Sequence, residues 1–131
     1  MVNGDILTHI DFRAMLDYHR ESDSELTVAV RKHEYTLPYG VIECLGSQVT
    51  NIAEKPSREV LINAGIYLVE PSLLPIIPKG RRYDMTDLIR AALDADRRVD
   101  AFPMREFWLD VGRPEDYERA KVEFEARRVT R

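Results

Sequence analysis

Apolar positions along the chain repeat sometimes at helical spacing and sometimes at every second residue. Phe12, Met15, Leu16 and His19 follow the i, i+3, i+4, i+7 rule of one buried stripe, which predicts a helix starting at Asp11. Glu21-Ser22-Asp23-Ser24 ends it. Residues 25–32 alternate, with Leu26, Val28 and Val30 on one side and Glu25, Thr27 and Arg31 on the other, so a strand is predicted. Pro38 interrupts the chain. Residues 39–44 and 48–54 then read as two short strands joined into a hairpin by Leu45-Gly46-Ser47. Residues 61–69 are apolar on both faces, the pattern of a central strand.

Pro71 opens a short helical turn through Ile77, where its missing N–H costs little. Asp84-Met85-Thr86-Asp87 has the form of a helix cap, and the helix it starts carries Met85, Leu88, Ile89, Ala92 and Leu93 on one face. Residues 99–104 and 107–111 are strands on either side of Arg105-Glu106. Pro114 starts a last helix with Tyr117, Ala120 and Phe124 as its stripe. Met1 and Val2 precede the turn-forming Asn3-Gly4-Asp5, so the sequence reads as starting at the tail of a strand. The element order predicts one domain over residues 1–131, an α/β fold in which a mixed, mostly central β-sheet with a β-hairpin is flanked by helices.

The length suits one domain, and 44% apolar with 32% charged residues is an ordinary globular mixture. A formal net charge of −4, with basic residues interspersed among acids along most of the chain, argues against a nucleic-acid or membrane-surface partner. The basic tail Arg127, Arg128 and Arg131 reads as a solvated helix end. Cys44 is the single cysteine, so no intrachain disulfide can form, which suits a cytoplasmic location; within its strand it reads as a packing residue. No apolar run approaches a membrane span, and the N-terminus lacks the pattern of a signal peptide.

Several short stretches place chemistry at strand ends. Asp5 lies where a strand stops and a loop begins, a position from which a carboxylate can hold a hard cation, although Asn3-Gly4-Asp5 also reads as a plain turn. Asp110 interrupts the apolar run Trp108-Leu109-Asp110-Val111 just before Gly112. A carboxylate there calls for a metal, a helix to cap, or a salt bridge to Arg113. Glu54-Lys55-Pro56 could serve sugar hydroxyls and a phosphate, or form a surface ion pair. Tyr39-Gly40 and Asn63-Ala64-Gly65 put glycines in strand contexts, where they mark a bulge or the close approach of a ligand. His9, His19 and His33 are scattered, and His19 reads as a packed core histidine.

Together these stretches resemble the sugar-1-phosphate nucleotidylyltransferase (sugar-nucleotide pyrophosphorylase) family. The matching series is Val2-Asn3-Gly4-Asp5, Tyr39-Gly40-Val41, Glu54-Lys55-Pro56, Asn63-Ala64-Gly65-Ile66-Tyr67, Tyr83-Asp84-Met85-Thr86-Asp87-Leu88-Ile89, and Trp108-Leu109-Asp110-Val111-Gly112 running on to Tyr117. The resemblance implies a partial nucleotidyltransferase Rossmann-like fold and a reaction between a nucleoside triphosphate and a sugar-1-phosphate. A sugar-phosphate oxygen attacks the α-phosphorus and pyrophosphate leaves. It implies that Asp5 and Asp110 bind a catalytic Mg²⁺ and that Lys55 holds the sugar's phosphate. It also implies that Gly40, Glu54, Asn63 and Gly65 line the sugar pocket.

The series departs from the family at its start. The family's glycine-rich loop with Thr-Arg-Leu, and the Pro-Lys that follows, are not found ahead of Asn3. The expectation is therefore a C-terminal portion lacking about 90 residues of a domain of typical size, inactive alone. The alternative is a non-catalytic assembly module that pairs with another chain, or forms a homo-oligomer, through an exposed sheet edge.

Overall fold

The computed structural model describes residues 1–112. The chain forms two compact units, one of Met1–Val30 with the chain from Asn63 onward, the other of Arg31–Ile62.

The larger unit holds most of the elements. β1 (Ile6–Thr8) precedes α1 (Phe12–Glu21) and β2 (Leu26–Thr36). After β5 (Ser57–Val69) come a 3-10 helix (Pro71–Ile76), α2 (Met85–Asp94), β6 (Val99–Pro103) and β7 (Trp108–Asp110). The smaller unit takes β2 from Arg31 and β5 up to Ile62. α1 starts where its cap does: the Asp11 carboxylate accepts from the backbone N–H of Arg13 at 2.9 Å and of Ala14 at 3.1 Å. At α2 the Asp84 N–H donates to the Asp87 carboxylate at 3.1 Å. Both helices close with the same doubled bond pattern. Ser24 N–H reaches the His19 carbonyl and Arg97 N–H that of Ala92, with Asp23 and Asp96 in the left-handed conformation at φ 51° and 52°.

β2 is the middle strand of the order β5-β2-β6 and runs parallel to β6, with Leu26 opposite Val99 and Val30 opposite Pro103. Central placement, expected of residues 61–69, holds for β5 over Gly65–Tyr67, where a further stretch of chain pairs along the edge that β2 leaves open, and β5 is buried there from Ala64 to Tyr67. Val2 bridges Ile66, and Met1 and Asn3 hydrogen-bond Tyr67 and Gly65 at 2.8 Å each. The strict alternation expected of β2 fails, since Leu26, Thr27, Val28 and Ala29 are all buried. The reason is a helix on each face. Leu26 and Val28 join Tyr67, Leu73, Leu88 and Ala92 in one core, while Ala29 joins Met15, Ala64, Ile66 and Met104 in the other. On the predicted stripes, Phe12 and Leu93 turn out half-exposed.

On the α1 face a polar network adds to the apolar contact of Met15. Buried His19 bonds the Thr27 hydroxyl through Nδ1 at 2.7 Å and the Glu70 carboxylate through Nε2 at 3.1 Å, as befits a packed histidine. Ser24 Oγ donates to the Asp100 carboxylate, which also takes Arg98 Nε at 2.9 Å. Those two bonds, Ser24's first, hold the Asp100 carboxyl below its ordinary range.

The smaller unit carries the hairpin of β3 (Val41–Leu45) and β4 (Gln48–Ala53). Leu45 pairs directly with Gln48, so the loop is Gly46-Ser47, with Gly46 at φ 62°. A bulge falls between Glu43 and Cys44. No residue of Arg31–Ile62 is buried. Cys44 is therefore exposed and not the packing residue its strand suggested, because nothing within the unit covers this sheet. The helix expected from Pro114, with Tyr117, Ala120 and Phe124, and the basic tail lie outside the described residues.

Candidate functional site

β1 and β7 bring the two predicted aspartates together. β1 was not expected, because three residues are too few for a periodicity to show. It pairs antiparallel with β7 in the register Ile6–Asp110, Leu7–Leu109, Thr8–Trp108. The pairing continues past β1, where Val111 N–H donates to the Asp5 carbonyl at 2.8 Å. Asp5 and Asp110 thus stand on neighbouring segments, more than a hundred positions apart in sequence. Both are exposed.

Their carboxylates meet at Gly112. Its N–H donates to Asp110 Oδ1 at 2.9 Å. A Cβ added to Gly112 would lie 3.0 Å from Asp110 Oδ1 and 3.0 Å from Asp5 Oδ2, so the two oxygens are separated by no more than twice that distance. Two carboxylates facing one bare backbone position form a hard-oxygen donor set. That set suits Mg²⁺, which is held by one or two carboxylates while water and phosphate oxygens complete its shell. Among the described residues no group of three or more His, Cys, Asp or Glu gathers as the closed ligand set of a structural zinc would.

The turn carrying Asp5 is anchored on β5. Gly65 has φ +72°, and a Cβ there would lie 2.9 Å from Asn3 Nδ2 and 3.2 Å from Ile6 Cγ1. The strand glycine noted in the sequence is thus explained by the close approach of Asn3. Asn63 supports the same corner: its Oδ1 accepts from Gly65 N–H at 2.9 Å and its Nδ2 donates to Tyr67 Oη at 3.0 Å. Trp108 ties β7 to the same strand by donating Nε1–H to the Ala64 carbonyl at 2.7 Å. Asn3 and Trp108 act here through position, and only the short motifs around them hinted at it.

In the smaller unit, Gly40, Glu54 and Lys55 form their own group. A Cβ on Gly40 would stand 3.1 Å from Glu54 Oε2, so this glycine admits the carboxylate against its backbone. Lys55 N–H donates to the Tyr39 carbonyl at 3.2 Å, and Lys55 itself has φ 44°. The left-handed conformation is uncommon for a side chain of this size, and the residue is exposed. Among the described residues no carboxylate lies within ion-pair reach of the Lys55 ammonium; the basic groups that do pair include Arg82 with Asp84 and Arg97 with Glu25.

A hollow of about 690 Å³ in the larger unit, lined by His19, Arg20, Ser24, Glu70 and Arg98 among others, contains none of the predicted site residues. It lies where β2 and β6 begin, whereas ligands of open α/β sheets gather beyond the carboxyl ends of the strands. No helix among the described residues is long and apolar enough to cross a membrane.

Residues 1–127 match the family described as Nucleotidyl transferase. The mannose-1-phosphate guanyltransferase of Hypocrea jecorina is 32% identical over 122 residues, covering 89% of the chain and 33% of that protein. The catalytic subunit beta of mannose-1-phosphate guanylyltransferase from Dictyostelium discoideum is 33% identical, with the same coverage of 89% and 33%. Among solved structures, HddC from Yersinia pseudotuberculosis superposes with a TM-score of 0.65 at 23% identity, over 94% of the chain and 53% of its own. A UTP-bound UGPase from Acinetobacter baumannii gives 0.62 at 19% identity, over 94% and 49%. The chain spans about a third of the length of these curated relatives, 33% in each case. With the α/β architecture, the ordered motifs and a family match over nearly its whole length, the chain belongs to the nucleotidyl transferase family.

Proposed function

We propose that this chain is the sugar-phosphate-binding portion of a sugar-1-phosphate nucleotidylyltransferase, of the mannose-1-phosphate guanylyltransferase or glucose-1-phosphate thymidylyltransferase type. The observation that carries this reading is the meeting of the Asp5 and Asp110 carboxylates at Gly112. On this reading they hold Mg²⁺, which when bound neutralises charge on phosphate oxygens. The remaining residues position the substrate. Lys55, without a competing carboxylate among the described residues, takes the phosphate of a sugar-1-phosphate. Glu54 accepts hydrogen bonds from sugar hydroxyls, the Gly40 backbone admits the ring, and Asn63 and Gly65 line the sugar side. A sugar-phosphate oxygen forms a bond to the α-phosphorus of the nucleotide while the bond to pyrophosphate breaks, a reaction that needs placement and charge compensation more than a protein nucleophile. The 131-residue chain alone does not turn over, and it works in the cytoplasm.

Calorimetry tests the substrate class. The chain should bind mannose-1-phosphate or glucose-1-phosphate in preference to the free sugar, and Lys55→Gln should remove that preference, a loss of about tenfold for one charge-assisted contact. Equal affinity of the unchanged chain for sugar and sugar phosphate would sink the reading. Pyrophosphate release on adding nucleoside triphosphate, sugar-1-phosphate and Mg²⁺ together would overturn the claim of inactivity alone.

A second reading, self-association through a sheet, is favoured by the hairpin. Ile42, Leu45, Val49 and Ile52 are exposed at 56%, 77%, 58% and 65%, and Glu43 is the only charge in either strand. Two-stranded sheets are marginal alone, and an uncharged edge invites pairing. A dimer by light scattering that Ile42→Lys converts to monomer would support a second copy as the partner. A monomeric wild type at 100 µM-scale concentrations, on the order of those at which weak interfaces form, would remove this reading.

A further inference from the structure

We infer that Gly112 is the positioning residue of the carboxylate pair: its missing side chain is what lets Asp5 and Asp110 serve one divalent cation together. The inference rests on the cation reading proposed above and adds to it the residue that sets the spacing.

Glycine is kept at a position for its backbone or for its lack of volume. Backbone does not explain Gly112, because the described glycines with positive φ are Gly46, Gly65 and Gly80. Alanine could adopt its conformation without strain. Volume does explain it. A methyl carbon would stand 3.0 Å from an oxygen of each aspartate at once, tighter than ordinary carbon–oxygen contact, so both oxygens have to give by a few tenths of an ångström. The backbone of this corner is already committed. Val111 N–H holds the Asp5 carbonyl at 2.8 Å, and Gly112 N–H holds Asp110 Oδ1 at 2.9 Å. What yields is therefore the ends of two exposed side chains, which costs the fold little and costs the pair its geometry. Gly4, next to Asp5, offers the contrast: a Cβ there meets nothing within 4 Å.

The test is Mn²⁺ binding to the 131-residue chain, read from the electron paramagnetic resonance signal of the free ion, with thermal melting alongside. Asp5→Asn and Asp110→Asn should each lose binding. Gly112→Ala should weaken it roughly 10–100-fold, the usual range for a residue that orients a ligand, with its melting temperature unchanged. Gly4→Ala should bind as the wild type does. Wild-type affinity in Gly112→Ala, while the aspartate variants lose theirs, overturns the inference and leaves the cation reading standing. Unfolding of Gly112→Ala overturns it too, since the residue would then be structural, and so does an equal loss in Gly4→Ala. If Asp5→Asn and Asp110→Asn bind as the wild type does, or the wild type does not bind, the cation reading itself falls and takes the inference with it.

Discussion

Gly65→Ala should destabilise the fold by about 2–4 kcal/mol, a left-handed conformation and an overpacked contact acting together. At φ +72° a side chain is strained wherever it points, and here it points 2.9 Å from Asn3 Nδ2. Gly65 is buried and its carbonyl accepts the Asn3 N–H at 2.8 Å, so neither strand has room to withdraw. Urea unfolding of the variant measures the effect. Adding Asn3→Ala should return only the part due to crowding, because the backbone strain stays. A midpoint unchanged from wild type would contradict the account of this corner. The consequence reaches the site, since Asn3 and Gly65 set the turn that delivers Asp5 to Gly112.

The second large effect is expected at His19, which is 3% exposed and bridges Thr27 and Glu70. His19→Leu keeps an apolar body of similar size but withdraws the partner of a Thr27 hydroxyl in a residue that is 0% exposed. The stranded polar group should cost about 1–3 kcal/mol. Glu70 loses less, because its half-exposed carboxylate can turn to water. Thr27→Val in the His19→Leu background should recover much of the loss, because an apolar pair of the same shape leaves nothing unsatisfied. Strict additivity of the two substitutions in a double-mutant cycle would show that the bond carries no stability.

Both predictions fall where reading the sequence reached its limit. His19 was legible as a packed histidine from its place on the α1 stripe, but Thr27 read as the outward side of an alternating strand. Alternation describes a sheet with one wet face, whereas β2 has a helix on each. Gly65 was legible as a bulge or a close approach. That the approach is made by Asn3 depends on a pairing between chain segments over sixty residues apart.

What the sequence determined by itself was local. Asp11 and Asp84 mark helix starts because a side-chain oxygen satisfies backbone donors one turn away. Gly46-Ser47 makes a hairpin because its conformation is set within a few residues. The ordered motifs around Asp5, Glu54 and Asp110 pointed to the family before any contact was known. Tertiary structure alone decided that β2 is central, that Cys44 faces water, and that Gly112 stands between the two aspartates the family resemblance had already assigned to one cation. Those outcomes depend on which distant strands pair and what covers each face, and that energy resides in contacts with no local pattern to record them.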